Sequence, residues 1–130
     1  MIRQRLGKDL LFFDGGMGTL LQEKGLAPGE LPETWNLTHS EEIYKIHRQY
    51  IEAGSDIILT NTFGANALKF HDDSCSLEEI IKAAVSHVKK AEREALLQTG
   101  DERKIYTALD VGPTGKLLKP MGDLEFETAY

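Results

Sequence analysis

Three apolar runs in this chain each end in a side chain that can bind or ionise. The run LLFF at residues 10–13 meets Asp14, IIL at residues 57–59 meets Thr60 and Asn61, and a segment at 104–109 meets Asp110. A carboxylate so placed can hold an ammonium group or another cation, and a hydroxyl or amide can orient a polar ligand. Asp is also a common turn former that bonds its own loop, which is the plainer reading of Asp14 or Asp110 taken singly. The coincidence at three run ends favours a site, because neighbouring parallel strands in α/β folds bring their C-terminal ends to one ligand-binding rim. After Asp14 come Gly15, Gly16 and Gly18. Glycine admits positive φ and has no Cβ to keep a ligand away, so backbone amides here can receive a carboxylate or phosphate at the start of a helix.

The elements that must position these groups alternate. Residues 10–13 are a continuous apolar run that suits a buried strand. A short helix over 17–24 follows, stopped by Gly25 and the Pro28-Gly29 turn. Thr38 and Glu41 have capping-box spacing before a helix with Ile43, Ile46, Tyr50 and Ile51 on one face, and Gly54 stands at its expected C-terminal cap. Residues 57–59 form the second strand. A short helical piece near Leu68 and Phe70 leads to another capping box, Ser76 with Glu79. That box opens a long amphipathic helix with Leu77, Ile80, Ile81, Ala84, Val88 and Ala91 inward, running to about Leu97 before Gly100. The third strand spans 104–109, and the closing LEFETAY opens another helix. Long crossovers between strands mean a parallel sheet covered by helices. An open three-stranded sheet leaves two apolar edges, which proteins normally cover or close, so the chain reads as part of something larger.

The 130 residues suffice for one domain, and 28% charged with 41% hydrophobic residues is ordinary globular composition. A net charge of −6 argues against nucleic acid, which requires a basic face. No segment has the length of a membrane span or the pattern of a secretory signal. A single cysteine, Cys75, makes no internal disulfide, so the expected location is the reducing cytoplasm.

Rival chemistries fit less well. Gly16-Met17-Gly18 begins like a dinucleotide-binding loop, but Leu21 replaces the third glycine and the second strand ends in Thr60 rather than a ribose-binding acid. A phosphate-binding Gly-Lys-Ser/Thr loop is absent from the sequence. His39, His47, His71 and His87 lack metal-ligand spacing, and Cys75 in HDDSCS reads as incidental rather than nucleophilic. Asp72 and Asp73 read as solvated loop, and Trp35 as a packing anchor.

Taken together, DGGMGT (14–19), PETWN (32–36), HRQYIEAGSDIILTNTFGAN (47–66) and LDVGPTGKLLKPMGD (109–123) resemble the homocysteine S-methyltransferase family, most nearly the homocysteine-binding domain of its cobalamin-dependent members. The resemblance implies a (β/α)8 TIM barrel. Such a barrel takes about 250 residues, so the chain is expected to be an N-terminal portion of about three βα units. Residues 1–130 would then be one partial domain, truncated before the half that holds zinc. The implied reaction is methyl transfer to the thiol of L-homocysteine, giving methionine. Zinc, held by three cysteines, turns the thiol into a thiolate. The methyl donor is methylcobalamin replenished by methyltetrahydrofolate through other domains, or betaine or S-methylmethionine in other members.

Residue by residue, the resemblance sets Asp14 against the amino group of homocysteine, the Gly15 amide against its carboxylate, and Thr60 in the substrate pocket. Asn61 and Asp110 share that rim. The family's zinc cysteines lie in a Gly-x-Asn-Cys and a Gly-Gly-Cys-Cys-Gly segment, and neither exists in this sequence. No metal ligand or catalytic residue is therefore assigned here, and the isolated chain is expected to be inactive. Two other readings remain open: a non-catalytic half-barrel that self-associates through its exposed sheet edges, and a corrinoid-linked enzyme acting on a different thiol.

Overall fold

The computed structural model describes residues 2–72, 74–100 and 102–129. Among them the elements are α1 (Met17–Glu23), α2 (Trp35–Thr38), α3 (Ser40–Glu52), β1 (Ile57–Leu59), α4 (Leu77–Thr99), β2 (Tyr106–Ala108) and α5 (Phe126–Ala129). Short 3-10 turns lie at Ile2–Gln4 and Pro32–Thr34. β1 and β2 pair in parallel with Ile57 opposite Tyr106, Ile58 opposite Thr107 and Leu59 opposite Ala108. α4 makes the crossover between them, as parallel pairing requires.

The first expected strand is a correction: residues 10–13 contribute one parallel bridge, Phe13 with Ile57, rather than a full strand. The reason lies in two aspartates. Around the bridge, Ile57 N–H donates to the Phe12 carbonyl at 3.0 Å and Asp14 N–H to the Ile57 carbonyl at 3.0 Å. A parallel ladder would continue with Leu59 N–H on the Asp14 carbonyl, but that amide donates to the Asp14 side chain at 3.1 Å. At the other end, Phe12 N–H donates to the Asp56 carboxylate at 3.1 Å. Ser55 N–H is already committed to Tyr50 at 3.0 Å. The ladder is thus one rung long, with an acid at each end. The segment also lies at the open edge of the sheet, with Phe12 and Phe13 more than half exposed.

The long helix forms as its sequence dictates. Ser76 Oγ accepts from Glu79 N–H while the Glu79 carboxylate accepts from Ser76 N–H, and Gly100 closes the helix in the left-handed region at φ 66°. α3 departs from expectation at its start. Thr38 Oγ1 donates back to the Thr34 carbonyl at 3.2 Å, so α2 ends there and His39 precedes α3 without a side-chain cap. Its other end behaves as read: Gly54 has φ 110°, and the bonds Gly54 N–H to Ile51 and Ser55 N–H to Tyr50 form a Schellman closure. Residues near Leu68 and Phe70 make only a turn on the Asn66 carbonyl. Asp73 and Tyr130 lie outside the described residues.

One core cluster joins Tyr44 and Ile51 of α3, Ile58 of β1, Val88, Ala91 and Ala95 of α4, and Ile105. A second joins Leu21 and Leu26 with Trp35, Ile43 and Ile46. α3 is shared by both. Alanines on the inner face of α4 let it approach closely, a fit that leaves little room for larger side chains. Trp35 is an anchor, as read: it is 3% exposed, its indole N–H donates to Glu30 at 2.7 Å, and it stacks on His39 at 4.0 Å.

His47, fully buried on α3, has no hydrogen-bond partner for either ring nitrogen among the described residues. Burial, reinforced by His87, lowers its pKa from 6.5 to about 4. The fold therefore favours neutral imidazole, whereas the unfolded chain accepts a proton near 6.5. Stability should fall as pH drops from 6.5 to about 4, by roughly 3 kcal/mol. Urea unfolding of wild type and His47→Leu across that range checks this: the wild type should lose stability more steeply than the variant.

Candidate active site

The strand ends do meet. A cavity of about 320 Å³ is lined by Asp14, Gly15, Thr60, Asn61 and Asp110, together with Glu33, Thr62 and Phe63. All five residues singled out in the sequence lie on one wall system, but their local roles differ.

Asp14 is the unusual one. One carboxylate oxygen accepts the Leu59 amide; the other, Oδ1, is buried with no partner among the described residues. Burial raises the Asp14 pKa from 3.8 to about 6, with a smaller contribution from the charge of Asp110, while the backbone amides of Leu59 and of Asp14 itself oppose the shift. A buried carboxylate oxygen without a donor costs free energy, and a bound cation or ammonium group would supply the missing partner.

Thr60 and Asn61 are largely spoken for. Asn61 Nδ2 donates to the Pro32 carbonyl at 2.8 Å and to Asn36 Oδ1 at 3.2 Å, and its own carbonyl receives Asn36 Nδ2 at 2.8 Å. It fastens the Pro32–Thr34 turn and α2 to the end of β1. Thr60 N–H continues the ladder to the Ala108 carbonyl at 2.9 Å, and its hydroxyl accepts Asp110 N–H at 3.2 Å. Both residues shape the cavity wall.

The glycines act differently from the expectation of positive φ. None of Gly15, Gly16 and Gly18 has it; Gly16, at φ −64°, precedes α1. What Gly15 supplies is space, since a Cβ there would stand 2.7 Å from the Tyr50 hydroxyl, which donates to the Gly16 carbonyl at 3.3 Å. Tyr50, on the same face of α3 as Ile43, Ile46 and Ile51, is half-buried, packing against both core clusters beneath the glycine turn. The phenol is pushed up by burial and by the charge of Asp14.

Sequence reasoning missed Glu33, Thr62 and Phe63. Glu33 is 3% exposed and accepts Gly64 N–H at 2.5 Å. Its signal was its place in PETWN beside the anchoring Trp35. Thr62 has no spacing signal, because the chain turns tightly at Asn61, with Thr62 N–H on the Thr60 carbonyl at 2.9 Å. Cys75 does not line the cavity. Among the described residues no group of three His, Cys, Asp or Glu side chains is placed to hold a metal ion, and no helix is long and apolar enough to cross a membrane.

Residues 11–130 match the homocysteine S-methyltransferase family. The methionine synthase of Mycobacterium leprae (strain TN) is 31% identical in a 129-residue alignment that covers 95% of this chain and 10% of that protein. The crystal structure of the homocysteine methyltransferase MmuM from Escherichia coli in its metallated form superposes with a TM-score of 0.74 at 24% identity, over 88% of this chain and 42% of that one. The apo form gives a TM-score of 0.67 at 24% identity, over 86% of this chain and 40% of that one. The chain thus spans a tenth of the first relative and about two-fifths of the second.

Alanine at the glycines separates space from flexibility. Gly15→Ala should destabilise by about 1–3 kcal/mol, because Tyr50 must move. Gly18→Ala, with open space around its Cβ and a place inside α1, should stabilise by up to about 1 kcal/mol. Thermal unfolding of the two variants measures both.

Proposed function

The chain belongs to the homocysteine S-methyltransferase family, and on that footing we propose that residues 1–130 form the amino-acid-recognition part of a TIM-barrel enzyme that methylates the thiol of L-homocysteine. The partnerless Asp14 Oδ1 carries the reading. The α-ammonium group of homocysteine supplies the buried carboxylate with the donor it lacks, as a charge-assisted hydrogen bond. Gly15, with no side chain on the cavity wall, lets the substrate carboxylate come to the backbone amide. Thr60 and Asn61 hold the wall on which these groups stand, and Asp110 adds a negative charge that favours the ammonium end.

The parent reaction calls for a thiolate, which family members obtain by zinc ligation. The donors present here do not fit such a centre: the sequence has one cysteine, and it lies off the cavity. This chain's own chemistry is accordingly binding and orientation, with zinc, cobalamin and methyltetrahydrofolate belonging to other parts of a parent enzyme. Its lone cysteine supports a cytoplasmic setting.

A second reading, a non-catalytic half-barrel that pairs with another copy, is favoured by the exposed apolar side chains Leu10, Phe12 and Phe13 on one edge and Leu109 and Val111 beyond the other. Sedimentation distinguishes it, since a dimer without homocysteine affinity would support that reading over the first.

Isothermal titration with L-homocysteine at pH 7.5 should give saturable binding that Asp14→Asn weakens at least tenfold. Because the carboxylate must be charged, affinity should decline below about pH 6, approaching tenfold per pH unit. Equal affinity of wild type and Asp14→Asn would remove the ammonium assignment.

A further inference from the structure

The ends of β1 and β2 are laced together by side chains where the ladder stops. After Thr60 N–H to Ala108, the next rung of a parallel ladder would set Asp110 N–H on the Thr60 carbonyl. It goes to the Thr60 hydroxyl instead. Thr60 Oγ1 lies 2.7 Å from Thr62 Oγ1, and Thr62 Oγ1 donates to the Asp110 carbonyl at 2.8 Å. Each hydroxyl has one proton. Thr62 uses its one hydroxyl hydrogen on the Asp110 carbonyl, so Thr60 donates to Thr62, and Thr60 accepts from the Asp110 amide. The donors and acceptors close into a ring: Asp110 N–H to Thr60, Thr60 to Thr62, Thr62 to Asp110 C=O. Both threonines are 3% exposed, so the ring is shielded from water that would otherwise compete for it. One more bond, Gly112 N–H to the Phe63 carbonyl at 2.9 Å, ties the loops just beyond.

We propose that Thr62 is a positioning residue of this site: through the closed hydroxyl ring it fixes the backbone of Asp110, and so holds the Asp110 carboxylate in the cavity where it acts on Asp14 and on the cationic end of the substrate. The placement deepens the amino-acid-binding reading and rests on it for its purpose, though not for its geometry. Besides Asp110, the titratable groups around Asp14 are Glu33 on the same cavity and Tyr50 beneath Gly15. Neither takes part in the ring; Thr62 itself lines the cavity, so the Asp110→Asn background separates an effect passed through Asp110 from a direct one.

The test is the titration of the Asp14 carboxyl carbon by NMR in the ligand-free full chain, which does not require homocysteine to bind. Thr62→Val keeps the shape and removes the hydroxyl; Thr62→Ala serves equally if the valine variant does not fold. Either should lower the Asp14 midpoint by a few tenths of a pH unit or more as Asp110 is released. Thr62→Ser should restore the wild-type midpoint. In an Asp110→Asn background, where the charge is already gone, Thr62→Val should add no further shift. An unchanged midpoint in Thr62→Val and Thr62→Ala overturns the proposal, and so does a shift of the same size in the Asp110→Asn background. Should homocysteine fail to bind while these shifts appear, the substrate reading fails and the positioning role of Thr62 stands.

Discussion

The hydrogen bond from Leu59 N–H to the Asp14 carboxylate organises much of what surrounds it. It takes an amide that a parallel ladder would have given to the Asp14 carbonyl, so the first segment of the sheet ends at that point. The chain then turns away into Gly15 and Gly16 and starts α1. The same bond pins the carboxylate to the end of β1, level with Thr60. Since β1 is held in register with β2, Asp110, two residues beyond the last pair Leu59–Ala108, reaches the same cavity. A one-residue slip in that register would turn the alternate side chains of β2 to the other face and dissolve the cavity.

The consequence is a carboxylate held in an unfavourable place. One oxygen of Asp14 is satisfied by the backbone and the other is buried without a donor, so the ionised form is disfavoured and the group titrates near pH 6. Folded proteins leave few buried polar atoms unpaired, and those that persist are commonly functional. Here the strain is local. The packing of α3 against α4, the Schellman closure at Gly54 and the capping box at Ser76 all lie behind the sheet and offset it. Arg103 adds to that frame by donating to the Ile51 and Ser55 carbonyls at the end of α3.

The features legible in the sequence were those with local causes. The Ser76–Glu79 box, the Gly54 and Gly100 stops and the inward face of α4 follow from spacing alone. So does the convergence of Asp14, Thr60, Asn61 and Asp110, because alternation of strands and helices dictates where parallel strands end. What escaped depended on competition between partners. Residues 10–13 look like a strand, yet Asp56 and Asp14 take the amides that would have extended it. Thr38 looks like a helix cap, yet its hydroxyl bonds back to Thr34. Gly15 looks like a flexible turn residue, and its use is to leave room for Tyr50, a residue 35 positions later. No local pattern announces a contact of that range.

The central claim is that Asp14 receives the ammonium group of homocysteine. The direct measurement is the pH titration of the Asp14 carboxyl carbon by NMR, recorded with and without saturating L-homocysteine. Binding of a cation to the ionised carboxylate must favour that form, so the account predicts a midpoint well below the ligand-free value of about 6. A midpoint that stays at about 6 while homocysteine is bound would contradict it.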